Sequence, residues 1–122
     1  MKRTQRTQTI LKKVCETIDS KKGEEIVVLD ISRISSFTDF FVICHGYNER
    51  QNQAICDGLV ERLKKEEQLS PSHIEGYQQA EWILMDYLDF VIHIFSLQAR
   101  QFYKLEKLWS DGLAVQPAAL GA

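Results

Sequence analysis

The residues best suited to chemistry are Cys44-His45, His93, and the carboxylates Asp30, Asp39, Asp86 and Asp89. A thiol beside an imidazole is the minimum for nucleophilic catalysis, and Cys44 and His93 both fall in apolar runs that read as strands. Nothing in the spacing supplies a third group to orient the imidazole, or an oxyanion hole. A two-metal transfer site needs carboxylates on one strand face, commonly at i and i+2. Asp86 and Asp89 are three apart, on opposite faces or around a turn, and Asp30 and Asp39 belong to separate strands. Phosphate loops need glycines at set spacing, and Gly46 stands alone after its strand. His73 reads as a solvated loop residue. The residue types are present, but not in the patterns that catalysis, a metal or a cofactor requires. The expectation is a protein that binds and does not catalyse.

Composition sets the frame. The chain has 122 residues, 44% hydrophobic and 26% charged, with a formal net charge of −2. That is one ordinary globular domain, able to bury roughly two thirds of its unfolded surface. The charge gives no general pull toward nucleic acid or anionic membrane, so little direct nucleic-acid binding is expected. No apolar run approaches the roughly 20 residues of a membrane span, and the N-terminus lacks the apolar core of a secretory signal. Cys15, Cys44 and Cys56 are odd in number and show no CxxC spacing. Buried free thiols in a reducing cytoplasm account for them most simply.

The elements follow from periodicity. Ile10, Leu11, Val14 and Ile18 repeat at helical spacing, predicting a helix over about 9–20, with Gly23 as its stop. EEIVVLDI (24–31) and DFFVICHG (39–46) are β-branched, apolar runs typical of central strands, joined by the turn SRISSFT. From Asn48, with Gln51 three residues on as a capping-box variant, Ile55, Cys56, Leu59, Val60 and Leu63 form the inward stripe of a second helix that Pro71 prevents from continuing. HIEG then leads into a hairpin. Ser96 caps a last helix with Ala99, Phe102, Tyr103, Leu105 and Trp109 in its apolar stripe. The domain spans 1–112 and the tail 113–122 reads as flexible. The result is a single compact α/β domain, a mixed β-sheet flanked by helices.

The hairpin separates into two faces. A turn at Leu88-Asp89 pairs Tyr87 with Phe90 and Asp86 with Val91, so one face carries Ile83, Met85, Tyr87, Phe90, Ile92 and Ile94. This set belongs in the core. The other face carries Trp82, Leu84, Asp86, Val91, His93 and Phe95, large aromatics beside a carboxylate and an imidazole. That mixture suits a protein interface, dry at its centre and wet at its rim. It equally suits the second buried face of a two-sided sheet, with His93 satisfied by a hydrogen bond.

DISRISSFTDFFVICHGYNERQ (30–51), EGY (75–77), EWILMDYLDFVIHIF (81–95) and ARQFYKLEKLW (99–109) together resemble the ribosomal silencing factor family, RsfS or Iojap-like. The resemblance covers roughly residues 10–112. It implies a nucleotidyltransferase-like fold without the catalytic carboxylates, no enzymatic activity and no cofactor. It implies a homodimer in solution, a cytoplasmic location, and docking on ribosomal protein L-fourteen of the large ribosomal subunit. There the family blocks joining with the small subunit and represses translation under nutrient limitation. Carried over by position, the protein-binding residues are Trp82, Tyr87, Asp86, Asp89, Glu75, Gly76, Arg100 and Tyr103. Trp82 is the anchor, and Arg100 could instead pair with Glu75 or Asp86 inside the fold. The chain departs from the pattern at Leu88, where the family has glycine, and at HGYNER (45–50). A positive φ would cost leucine roughly 1 kcal/mol, which predicts a different or longer turn.

Overall fold

A computed structural model describes residues 3–108 and 113–115. The elements are α1 (Arg3–Ser20), β1 (Glu24–Asp30), β2 (Phe40–Gly46), α2 (Glu49–Glu67), β3 (His73–Glu75), β4 (Trp82–Asp86), β5 (Phe90–Ser96), α3 (Leu97–Tyr103), α4 (Leu105–Leu108) and β6 (Leu113–Val115). They build a mixed six-stranded sheet in the order β3-β4-β5-β2-β1-β6. Only β2 and β5 run parallel, with α2 in the connection between them; the other neighbours are antiparallel.

α1 forms because its apolar stripe has a matching surface to bury. Leu11, Val14 and Ile18 are fully buried, together with Ile55, Leu59 and Leu63 of α2 and the helix-facing side of the sheet. The helix starts six residues earlier than the periodicity predicts. Lys22, not Gly23, takes the left-handed conformation that ends α1, at φ 67°. Gly23 matters for space: a Cβ there would lie 2.4 Å from Ile18 Cγ2. On the outer rim Lys13 pairs with Glu66 and Glu67, and Arg62 with Glu16 and Glu66, tying the two helices together.

α2 opens as its sequence requires. Asn48 Oδ1 accepts from Gln51 N–H at 2.7 Å, and Gln51 Oε1 accepts from Tyr47 N–H at 2.7 Å. The helix ends at Gln68 (φ 53°), before Pro71 can act. Inside, the fully buried Asn52 donates to the carbonyls of Ala80 and Phe95, so α2 holds both the entry to β4 and the end of β5.

Two expectations for the C-terminal part need correction. The last helix is not continuous: Lys104 adopts φ 50° and separates α3 from α4. Phe102, within α3, does not join the predicted apolar stripe and is 77% exposed. The tail is not free from residue 113 either, because Leu113–Val115 pair with Val28–Asp30 as an edge strand. Three apolar residues suffice once β1 offers an unpaired edge. Trp109 lies outside the described residues, as do 116–122 of the expected tail.

Candidate functional site

The hairpin register pairs Trp82 with Phe95, Leu84 with His93 and Asp86 with Val91, which separates the faces as alternation predicts. Ile83, Met85, Tyr87, Phe90, Ile92 and Ile94 join the core under α1 and α2. Val91, Phe95, Trp82 and Leu84 face the other way, with Leu29, Ile31, Phe41 and Ile43 of the neighbouring strands. That second face is covered only in part, by Ala99 and Leu105 from α3 and α4.

An aromatic row crosses this face. Phe37 meets Phe41 with ring centroids 6.4 Å apart, Phe41 meets His93 edge-on at 4.6 Å, and His93 lies 5.9 Å from Trp82. Trp82 packs on Phe95 and Tyr103, each at 4.9 Å, and Tyr103 meets Phe102 at 5.0 Å. The middle of the row is dry, with Phe95 fully buried and Phe41 nearly so. Its two ends are open, with Phe37 64% and Tyr103 47% exposed. Trp82 itself is half-buried. Apolar groups reaching solvent around a desolvated centre are the makings of a protein interface.

His93 is not poised for acid–base chemistry. The Trp82 indole N–H donates to His93 Nδ1 at 3.0 Å, which leaves the ring proton on Nε2. That nitrogen is buried without a hydrogen-bond partner. Burial pushes the imidazole down to about 3, so it stays neutral at ordinary pH. The Cys44–His93 dyad is excluded by register, since Cys44 pairs with Ile94 and faces the helices while His93 faces away. Burial also raises the three thiols, Cys15 to about 11 and Cys44 and Cys56 to about 12, far from a nucleophile's range.

The eight residues that the resemblance marks for docking do not form one patch. Trp82 and Asp86 share the open face, and Glu75, directly opposite Leu84 in the register, shares it too. Tyr103 completes this group from the end of α3. His73, expected in a loop, is on β3 opposite Asp86, with Nδ1 3.8 Å from its carboxylate.

Two further residues act on the surface from beneath. Gly76 has φ +78°, and a Cβ there would lie 2.1 Å from the Trp82 carbonyl oxygen, so only glycine lets this loop close against β4. Arg100 is buried and pairs with neither Glu75 nor Asp86 in the way the sequence suggested. It donates to His45 Nδ1 at 2.9 Å and to the Glu24 carbonyl at 3.4 Å, fastening α3 to the far strands and so setting where Tyr103 stands.

Tyr87 and Asp89 are elsewhere. Tyr87 is buried on the helix side, stacked on Phe90 at 5.0 Å. Asp89 lines a cavity of about 320 Å³ with Arg6, Thr7, Ile10 and Leu69 on that same side. The expected longer turn is not formed and Leu88 does take the positive φ: Asp89 N–H donates to the Tyr87 carbonyl across Leu88, a three-residue γ-turn with φ +73° at its centre. Asp86 Oδ1 accepts the Leu88 N–H at 2.8 Å and holds that strained residue in place. Phe37 and Phe102 were missed as surface residues. Phe37 sits in the Ser/Thr-rich turn, where an aromatic is the only hint, and Phe102 falls in the expected helix stripe, where no local signal marks it.

Comparison with known proteins shows the family and the fold. The family described as "Ribosomal silencing factor during starvation" matches residues 4–120. "Ribosomal silencing factor RsfS" of Halalkalibacterium halodurans is 41% identical over 109 residues, covering 89% of this chain and 92% of that protein. A crystal structure from Bacillus halodurans superposes with a TM-score of 0.77 at 40% identity, covering 89% of this chain and 98% of that one. A mouse relative, "Mitochondrial assembly of ribosomal large subunit protein 1", is 32% identical over 92 residues, which is 74% of this chain but 40% of the mouse protein. With the family matched over nearly its whole length and its fold shared with a solved relative, this chain belongs to the ribosomal silencing factor family.

Proposed function

We propose that this protein docks through the open sheet face onto ribosomal protein L-fourteen of the large ribosomal subunit. Occupancy there sterically blocks joining with the small subunit and represses translation when nutrients are scarce. The observation that carries this reading is the aromatic row from Phe37 to Phe102, half desolvated and centred on Trp82. Glu75 and Asp86 give it an acidic rim suited to a basic ribosomal protein. Gly76 and Arg100 support the surface from beneath, while Tyr87 and Asp89 lie on the other side of the sheet. In solution the same apolar face is the natural contact for a homodimer, which then competes with the ribosome. The protein acts in the cytoplasm.

No bond is made or broken in this mechanism. In this reading the fold is a nucleotidyltransferase-like scaffold whose carboxylates serve structure, as where Asp30 Oδ1 accepts from Ser32 and Asp86 Oδ1 accepts from Leu88. Sedimentation of purified subunits in sucrose gradients tests the proposal. The protein should comigrate with the large subunit and reduce joined ribosomes. Trp82→Ala should weaken that binding by about 2 kcal/mol, roughly thirtyfold. Unchanged binding of Trp82→Ala would remove the site. Binding without any effect on joining would favour a role in large-subunit assembly, the reading that the mouse relative's name suggests.

A further inference from the structure

At the sheet edge farthest from β6 lies a second surface, which adjoins the aromatic face only through Glu75. β3 ends the strand order, with β4 on one side and no strand beyond it among the described residues. Beside it, on the α2 side, is a groove of about 400 Å³ lined by Cys56, Asp57, Val60, Glu61, Ile74 and Tyr77. Its floor is apolar: Cys56 is buried, and Val60, Ile74 and Tyr77 are half-buried. One wall is rigid, because the Tyr77 hydroxyl donates to both oxygens of Asp57, at 2.9 and 3.0 Å, while Gln53 Nε2 donates to the Tyr77 carbonyl. Asp57 and Glu61, exposed on α2, give the groove an acidic rim, and Glu75 is exposed on the opposite face of β3, its carboxylate 3.4 Å from His73 Nε2.

We infer that this edge accepts an extended, basic segment of a partner protein as an added strand. Side chains alternate along such a strand. A residue pointing to the α2 side would place an aliphatic group in the groove, against Val60 and Ile74. Its neighbours in sequence would point to the other face, beside Glu75, where lysine or arginine is favoured. The recognised pattern is therefore basic–aliphatic–basic. The carboxylates disfavour nucleic acid, and they disfavour a second copy of this chain, since pairing β3 with β3 would bring one acidic rim against another.

The probe is a short fluorescein-labelled peptide of alternating lysine and valine, with a glutamate–valine peptide as control. Fluorescence polarisation should show saturable binding of the first peptide alone. Glu61→Lys should weaken it about tenfold at low salt, and that difference should shrink as salt screens the rim. Trp82→Ala should leave it unchanged. Amide shifts on binding should cluster at 56–61 and 73–77. The inference is overturned if the peptide does not bind, or if the glutamate–valine peptide binds equally well. It is also overturned if the shifts map to the Trp82–Tyr103 face, or if the edge is taken up by self-association that Glu61→Lys relieves.

Discussion

The two faces of this sheet are made of similar residues and treated differently. One is roofed by helices of 18 and 19 residues and holds Ile83, Met85, Ile92 and Ile94 without exposure. The other has a seven-residue helix over it, broken at Lys104, and lets Trp82, Tyr103, Phe102 and Phe37 reach solvent. Apolar composition alone thus does not distinguish a covered face from an open one. The length of the covering element does, and here that length is set by one residue in a left-handed conformation.

Substitutions on each face should separate these roles. The largest effect on stability is expected on the roofed face. Phe90→Ala removes a ring stacked on Tyr87 and should cost about 3–5 kcal/mol, read as a lower denaturant midpoint with an unchanged slope. If it costs no more than Trp82→Ala does, the two faces are not different in kind. Gly76→Ala tests the hinge between them. Positive φ and contact with the Trp82 carbonyl should cost about 2 kcal/mol or more and disturb the docking face without touching its surface.

A pH series sharpens the comparison further. His93 is held near 3 in the fold and returns to about 6.5 when unfolded. Below about 6.5 the unfolded state therefore binds the extra proton, and stability should fall with falling pH by up to about 1.4 kcal/mol per unit. His93→Phe should remove that slope while the thiol-bearing face stays as it was; a slope unchanged by the substitution would mean another group carries it. The smallest effect is expected at Leu88→Gly. Relief of φ +73° in an exposed side chain should stabilise by about 1 kcal/mol, seen as a small rise in thermal midpoint.

Much of this was legible in the residues. Strict alternation between Trp82 and Phe95 was enough to assign both faces of the hairpin, and the Asn48–Gln51 pair marked the start of α2. Motif position was a poorer guide than alternation. It grouped Tyr87 and Asp89 with Trp82, although a tyrosine one residue off the parity of Trp82, Leu84 and Asp86 must face the opposite side. The break at Lys104 was not legible, because it lacks the glycine that usually announces a positive φ; at Leu88 the family's glycine did announce one, and the leucine adopts it. β6 was hidden for another reason: three residues carry no period, and only the open edge of β1 makes them a strand.

The cysteines carry a practical consequence. Cys15, Cys44 and Cys56 come from α1, β2 and α2 and are buried in the same core, on the roofed side. With thiols displaced to about 11 or 12, they should ignore alkylating reagents for as long as that core stays closed. Their labelling is then a native clock for the opening of one face only, running undisturbed while a partner occupies the other.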